Sequence, residues 1–174
     1  MEIRLVERKE IEKVREINRR EVVEQLYYYK NGTLIIENEF IDDPGWTPAE
    51  VEEHVRDLYT VYDLGGSLYG AFDGDTMAGI GALGNKFIGS AKDQLQVTFL
   101  HVDADYRNRG IGKNLMKKII ECAKAQGVKK LYISATPSKN TIDFYLGLGC
   151  QLTTELIPEL FELEPDDIHL QLIL

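Results

Sequence analysis

Residues 94–127, QLQVTFLHVDADYRNRGIGKNLMKKIIECAKAQG, read as a strand, a tight basic turn and an amphipathic helix. In the strand Leu95, Val97 and Phe99 take odd positions and Gln94, Gln96 and Thr98 even ones. Leu100 and Val102 then reverse the order, a phase flip of the kind a bulge produces. A bulge there predicts a strand splayed from its neighbour, with backbone groups left unpaired for a ligand. The turn Arg107-Asn108-Arg109-Gly110-Ile111-Gly112-Lys113 stands where the strand ends and the helix begins. The first N–H groups of a helix have no intrahelical partner and carry partial positive charge, so this is a natural anion site. Two glycines allow close approach to the backbone, and Arg107, Arg109 and Lys113 add charge. Together these features predict a pyrophosphate cradle.

Two nucleotide motifs fail at this turn. A dinucleotide-binding G-x-G-x-x-G starting at Gly110 meets Leu115 at its third glycine. The phosphate loop of nucleoside triphosphatases has Arg107 where it needs Gly and Asn114 where it needs Ser or Thr. What remains is R-x-x-G-x-G at a strand-to-helix turn.

Downstream, Leu115, Met116, Ile119, Ile120 and Ala123 mark the inner face of the helix, and Gly127 ends it. KLYISA (130–135) is a short apolar strand, expected to run parallel to the first because a helix crosses between them. A short helix follows over 141–148, then strands over 150–155 and 168–174 with an acidic loop or short helix at 158–167. Upstream, residues 1–6 predict a strand and 9–25 an amphipathic helix. Thr47-Pro48-Ala49-Glu50 predicts a capped helix start, and 67–72 and 77–83 a hairpin around Asp73-Gly74-Asp75. Residues 26–46 hold Tyr27, Tyr28 and Tyr29, a turn signal at Asn31-Gly32 and the acids Glu37, Glu39, Asp42 and Asp43. They read as a loop with a short strand or helical turn. It is either a wall that receives an amine or an irregular surface connection.

The chain has 174 residues and no long linker or repeat, so a single domain over 1–174 is expected. Its net charge of −9 argues against a nucleic-acid partner and favours a cationic small molecule. It has no run of about 18 apolar residues, so no membrane span is expected. The start MEIRLVERKE lacks the apolar core of a signal peptide. Cys122 and Cys150 fit no metal or disulfide spacing, which suits reduced thiols in a cytoplasmic protein. No metal is expected, since no His, Cys or Asp cluster has ligand spacing.

LHVDADYRNRGIGKNLM is similar to motif A of the GCN5-related N-acetyltransferases, and KLYISATPSKNTIDFYLGLGC resembles their motif B. The resemblance gains weight from S-x-x-T-I-x-F-Y-x-x-x-G, Ser138 to Gly149. It implies an α/β fold with a mixed, mostly antiparallel sheet of six or seven strands flanked by helices and splayed at the central strand. It also implies acetyl-CoA as co-substrate, and acetyl transfer to a primary amine of a small molecule or peptide by direct attack in a ternary complex. Backbone groups of Leu100 and Val102 would pair with the pantetheine arm. N–H groups from Arg107, Asn108, Arg109, Gly110, Ile111, Gly112 and Lys113 would hold the pyrophosphate. Ser138 takes the place of a pantetheine-contacting Asn, with Asn140 two residues on as the competing position. Tyr145 matches the family's general acid, whose O–H can protonate a departing thiolate at modest cost. The base is open among His101, Glu37, Glu39 and Asp42. A homodimer is common in such families. The alternative is a non-catalytic acyl-CoA-binding sensor or interaction module on the same fold.

Overall fold

The computed structural model describes residues 1–174. Along the chain run β1 (Glu2–Leu5), a 3-10 helix (Arg8–Glu16), β2 (Glu21–Lys30), β3 (Thr33–Asp43), α1 (Pro48–Asp63), β4 (Ser67–Asp73) and β5 (Thr76–Leu83). Then follow β6 (Gln94–Val102), a 3-10 turn (Ala104–Tyr106), α2 (Ile111–Ala125), β7 (Lys130–Ala135), α3 (Lys139–Gly147), β8 (Gln151–Leu152), α4 (Pro158–Leu163) and β9 (Ile168–Ile173). Seven strands form one sheet in the order β1-β4-β5-β6-β7-β9-β8. Only β6 and β7 are parallel, joined by a crossover through α2; the other neighbours are antiparallel. The expected mixed, mostly antiparallel sheet flanked by helices is the observed architecture.

The two sheet faces bury different helices. On one side Ile11 and Val14 of the 3-10 helix and Val55 and Leu58 of α1 pack with Leu68, Phe72, Met77 and Ile80. On the other, α2 lays Leu115, Met116 and Ile119 against the sheet. Gly81 permits that approach, because a Cβ there would stand 2.9 Å from Cδ1 of Ile119. Helix α1 starts as its sequence predicts. Thr47 and Glu50 form a reciprocal capping box, and Pro48 occupies the first turn.

Three expectations are corrected. The helix expected over 9–25 stops at Glu16, and residues 21–43 form a hairpin instead of a loop. The cause is local chemistry. Asn31 and Gly32 both take positive φ (51° and 82°), the backbone a two-residue turn with matching strand twist needs. The strands then pair in register from Lys30 and Thr33 to Glu21 and Asp43, with a bulge between Val23 and Gln25, and diagonal contacts add to it: Lys30 on Glu37 at 2.7 Å and the Tyr28 hydroxyl donating to Glu39 at 2.8 Å. The strand expected over 150–155 shrinks to Gln151–Leu152, since β9 inserts beside β7 and leaves β8 at the sheet edge.

The hairpin is anchored to α3. The Tyr27 N–H donates to the carbonyl of Pro137 (2.8 Å), and the Tyr27 hydroxyl donates to Asp143 (2.8 Å).

Candidate active site

The phase flip in β6 is a bulge at Thr98. Phe99 pairs with Ala82 and Val97 with Leu83, so Thr98 has no partner on β5. Upstream of it the Gly84 N–H donates to the Gln96 carbonyl (2.9 Å); downstream the Asp103 N–H donates to the Ala78 carbonyl (2.9 Å). Backbone groups facing β5 therefore pass from even to odd residues. By strand alternation, those of Leu100 and Val102 turn away from β5. The parallel pairing of β6 with β7 ends at Val97 and Ile133. Leu100 and Val102 thus face an open splay.

At the end of that splay sits the N-terminus of α2. Its first internal bond runs from the Asn114 N–H to the Gly110 carbonyl (3.0 Å), leaving the N–H groups of Ile111, Gly112 and Lys113 without helical acceptors. Asn108 and Gly110 both adopt left-handed backbone (φ 61° and 77°), which turns the chain sharply into the helix. The Arg107 side chain is a clamp. Its guanidinium donates to the carbonyls of Val102 (3.1 Å), Arg20 (2.9 Å) and Arg19 (3.0 Å). Arg109 donates to the Asp105 carbonyl and lies over the Tyr106 ring. Lys113 is exposed and has no ion-pair partner.

One cavity of about 640 Å³ joins these parts. Leu100, His101, Val102, Arg107, Asn108, Gly110, Ile111, Gly112, Lys113 and Tyr145 line it; Arg109 and Ser138 do not. Ser138 is only 2% exposed and caps α3, accepting from the Thr141 N–H (3.4 Å) and donating to the Thr141 hydroxyl (2.9 Å). Asn140 and Thr141 reach the cavity in its place. Glu37, Glu39 and Asp42 stay outside on the hairpin, engaged by Lys30, Tyr28 and Arg20. The carboxylates that do line the cavity are Glu21, Asp57, Glu164 and Asp167.

The titratable groups are set by burial. The Tyr145 hydroxyl has no hydrogen-bond partner in the protein. Burial, with Cys150 and Asp167 nearby, pushes its pKa above that of a free phenol. His101 is driven down to about 3 by burial first, then by the charges of Arg19 and Arg107 and the neighbouring His54 ring, so its ring is neutral near pH 7. Asp167 moves the other way. Burial, followed by repulsion from Glu164 and Asp166, raises it to about 6. Sequence reasoning missed Asp167, as well as Phe144, Trp46 and His54, which also line the cavity. The acids of 158–167 were visible, but nothing local marks Glu164 and Asp167, the latter just before β9, as the ones turned toward the cavity.

A model of the acetyltransferase (GNAT) family matches residues 33–149, well over half of the chain. The chain belongs to the acetyltransferase (GNAT) family. N-acetyltransferase 8B of Rattus norvegicus is 31% identical over 100 residues, 56% of this chain and 45% of that protein. N-acetyltransferase 8F1 of the same species is 32% identical over 98 residues, 55% and 44%. The chain therefore spans less than half the length of these relatives. Among solved structures, nourseothricin acetyltransferase superposes with a TM-score of 0.72 at 16% identity, covering 99% of this chain and 97% of that one. The PaiA N-acetyltransferase from Thermoplasma acidophilum, solved with coenzyme A, gives 0.65 at 17%, covering 99% and 98%. These likenesses concern the fold.

The family's acyl carrier has an extended amide arm and a pyrophosphate, and the GNAT cleft described above suits both. Along the splay the backbone of Leu100 and Val102 faces away from β5, with the Val102 carbonyl also accepting from Arg107. The free N–H groups of α2 suit an anion.

Proposed function

We propose that residues 1–174 form one N-acetyltransferase domain that moves an acetyl group from acetyl-CoA to a primary amine of a small molecule or peptide by direct attack in a ternary complex. One observation carries this reading: the β6–β7 splay, the uncapped N-terminus of α2 and the Tyr145 side chain open into a single cavity. Bound there, the thioester supplies an activated acyl group. The chain supplies the rest. Leu100 and Val102 orient the arm, the N–H groups of residues 111–113 hold the anion, and Phe144 forms the floor beside Gly112.

Tyr145 is the proposed general acid. Its hydroxyl has no competing acceptor in the protein and is protonated at neutral pH, so it can donate to a thiolate that develops beside it, although burial makes it a weaker acid than a free phenol. Asp167 is the proposed base, taking the proton from the amine as the C–N bond forms. Ionised above about pH 6, it lines the same cavity as Tyr145. His101 lines the cavity too, but a ring whose conjugate acid has a pKa of about 3 takes a proton from an ammonium far less readily. The same reading takes the protein as cytoplasmic and metal-independent, acting on a small acceptor as a monomer or homodimer.

The test is free thiol released from acetyl-CoA with and without a panel of primary amines. Amine-dependent release supports transfer. Coenzyme binding without amine-dependent release would instead mark a non-catalytic acyl-CoA-binding module.

A further inference from the structure

Four rings meet on one side of the cleft. Trp46 stands just before α1, His54 on α1, and Phe99 and His101 on β6. Ring centroids lie 4.8 Å apart for Trp46 and His101, 4.5 Å for Phe99 and His101, 4.7 Å for Trp46 and His54, and 5.1 Å for His54 and Phe99. All four line the cavity, and all four are half-buried, so they form a wall and not a plug of core. Strand alternation puts Phe99 and His101 on the face opposite Leu100 and Val102. Leu100 and Val102 pack with Ile111 and Leu115 of α2, while Phe99 packs with the α1 cluster. The wall therefore lies across the splay from the anion cradle.

The charges around this wall decide what it accepts. The groups acting on His101 are Arg19, Arg107 and His54, all cationic or neutral. His54 feels Asp57, Glu53 and Glu50 against Arg19, yet burial still lowers its pKa. The carboxylates on Arg19, Asp43 and Glu21, are already committed to that guanidinium, Asp43 at 2.5 Å and Glu21 at 3.8 Å. Aromatic faces alone would attract a cation. Glu21 and Asp57 also line the cavity, but Glu21 is held by Arg19 and Asp57 acts on His54, whereas the charges acting on His101 itself are those of Arg19 and Arg107, so an ammonium pressed against that ring would meet like charge. An uncharged planar group meets no such penalty and gains edge and face contacts with four rings.

We infer that this wall is the acceptor's recognition surface, and that the acceptor is a primary amine carrying an uncharged planar, aromatic substituent, which stacks against Trp46, His54, Phe99 and His101 while its amine reaches toward Tyr145. This rests on the acetyl-transfer reading and adds a substrate class to it. It departs from the cationic acceptor that net charge suggests, because net charge describes the whole surface and the wall has its own local field.

The experiment compares 2-phenylethylamine, 2-cyclohexylethylamine and spermidine as acceptors, with wild type and Phe99→Leu, which removes the ring and keeps apolar volume. The kcat/KM for CoA release should favour 2-phenylethylamine by about tenfold over both others. Phe99→Leu should cut that preference severalfold while leaving the thermal shift caused by acetyl-CoA unchanged. Calorimetric titration of 2-phenylethylamine into CoA-saturated protein runs in parallel. If no amine is turned over but this binding occurs and weakens in Phe99→Leu, the wall stands and the acetyl-transfer reading falls. Preference for spermidine, an unaltered preference in Phe99→Leu, or no binding and no turnover of 2-phenylethylamine overturns the inference.

Discussion

Gly112 lies against the ring of Phe144: a Cβ at Gly112 would stand 3.2 Å from Cε2 and 3.3 Å from Cζ of that ring, and 3.8 Å from Cγ2 of Val102. The glycine thus sets how closely the start of α2 approaches Phe144 of α3. It also bears one of the three free N–H groups of α2.

Gly112→Ala is expected to leave the fold intact, since Phe144 can swing and alanine favours a helix by up to about 1 kcal/mol over glycine. The displaced ring then intrudes on the cleft. The rise in melting temperature caused by acetyl-CoA should fall by half or more while the unliganded melting temperature changes by only a few degrees. An undiminished rise would contradict the cradle. Gly110 is a separate case. Nothing lies within 4 Å of a Cβ there, but its φ of 77° penalises any side chain by about 1 kcal/mol or more. Gly110→Ala should therefore lower the unliganded stability itself.

Tyr145→Phe removes one oxygen from a site where that oxygen bonds to nothing in the protein. Folding stability should hardly change. Turnover should drop by about a hundredfold, a typical worth for positioned acid catalysis, with coenzyme affinity retained. Undiminished turnover would reduce Tyr145 to a packing residue. Measuring kcat and the coenzyme dissociation constant separately makes the distinction.

Asp167 makes two pH predictions with definite signs. As a base it must be ionised, so kcat/KM should rise with pH through about 6, and Asp167→Asn should remove that limb along with most of the rate. For stability, a carboxylate raised from 3.8 to about 6 binds a proton in the folded chain where the unfolded chain has lost it. Stability therefore falls as pH rises across that window and is flat above it. Asp167→Asn should flatten this slope in denaturant titrations between pH 4 and 7. A slope equal to wild type would show that the carboxylate is not desolvated.

Arg107 is expected to act through the backbone it clamps. Arg107→Met strips three carbonyls of their donor, which should cost on the order of 2 kcal/mol, about 4–8 °C in a domain of this size. Coenzyme binding should weaken as well, because the turn at 103–110 loses its tie to residues 19 and 20. Unchanged melting would mean that water replaces the guanidinium at no cost.

The donor side was legible because its signals are local. The phase flip at Leu100 needs only alternation, and the cradle needs only glycines at a strand-to-helix turn. The hairpin was half legible. Asn31-Gly32 announced the turn, but Ile17 and Val22 also fit helical spacing, and only pairing with β3 decides in favour of strand. Ser138 and Asn140 show another limit: motif counting aligns a position, while the capping bond to Thr141 decides which side chain turns inward. Asp167 and the four-ring wall depend on the sheet order and on His54 of α1 and Trp46 reaching Phe99 and His101, contacts between residues far apart in sequence. No local pattern encodes them.

The most direct test of acetyl transfer follows the acyl group itself. Acetyl-CoA labelled in its acetyl carbons is mixed with the protein and 2-phenylethylamine, and label is traced by mass spectrometry to amine, protein and acetate. Direct transfer predicts label on the amine nitrogen, free CoA in equal amount, and no label on the protein at any time. Label retained on CoA, accumulating on the protein, or appearing only as acetate would contradict it.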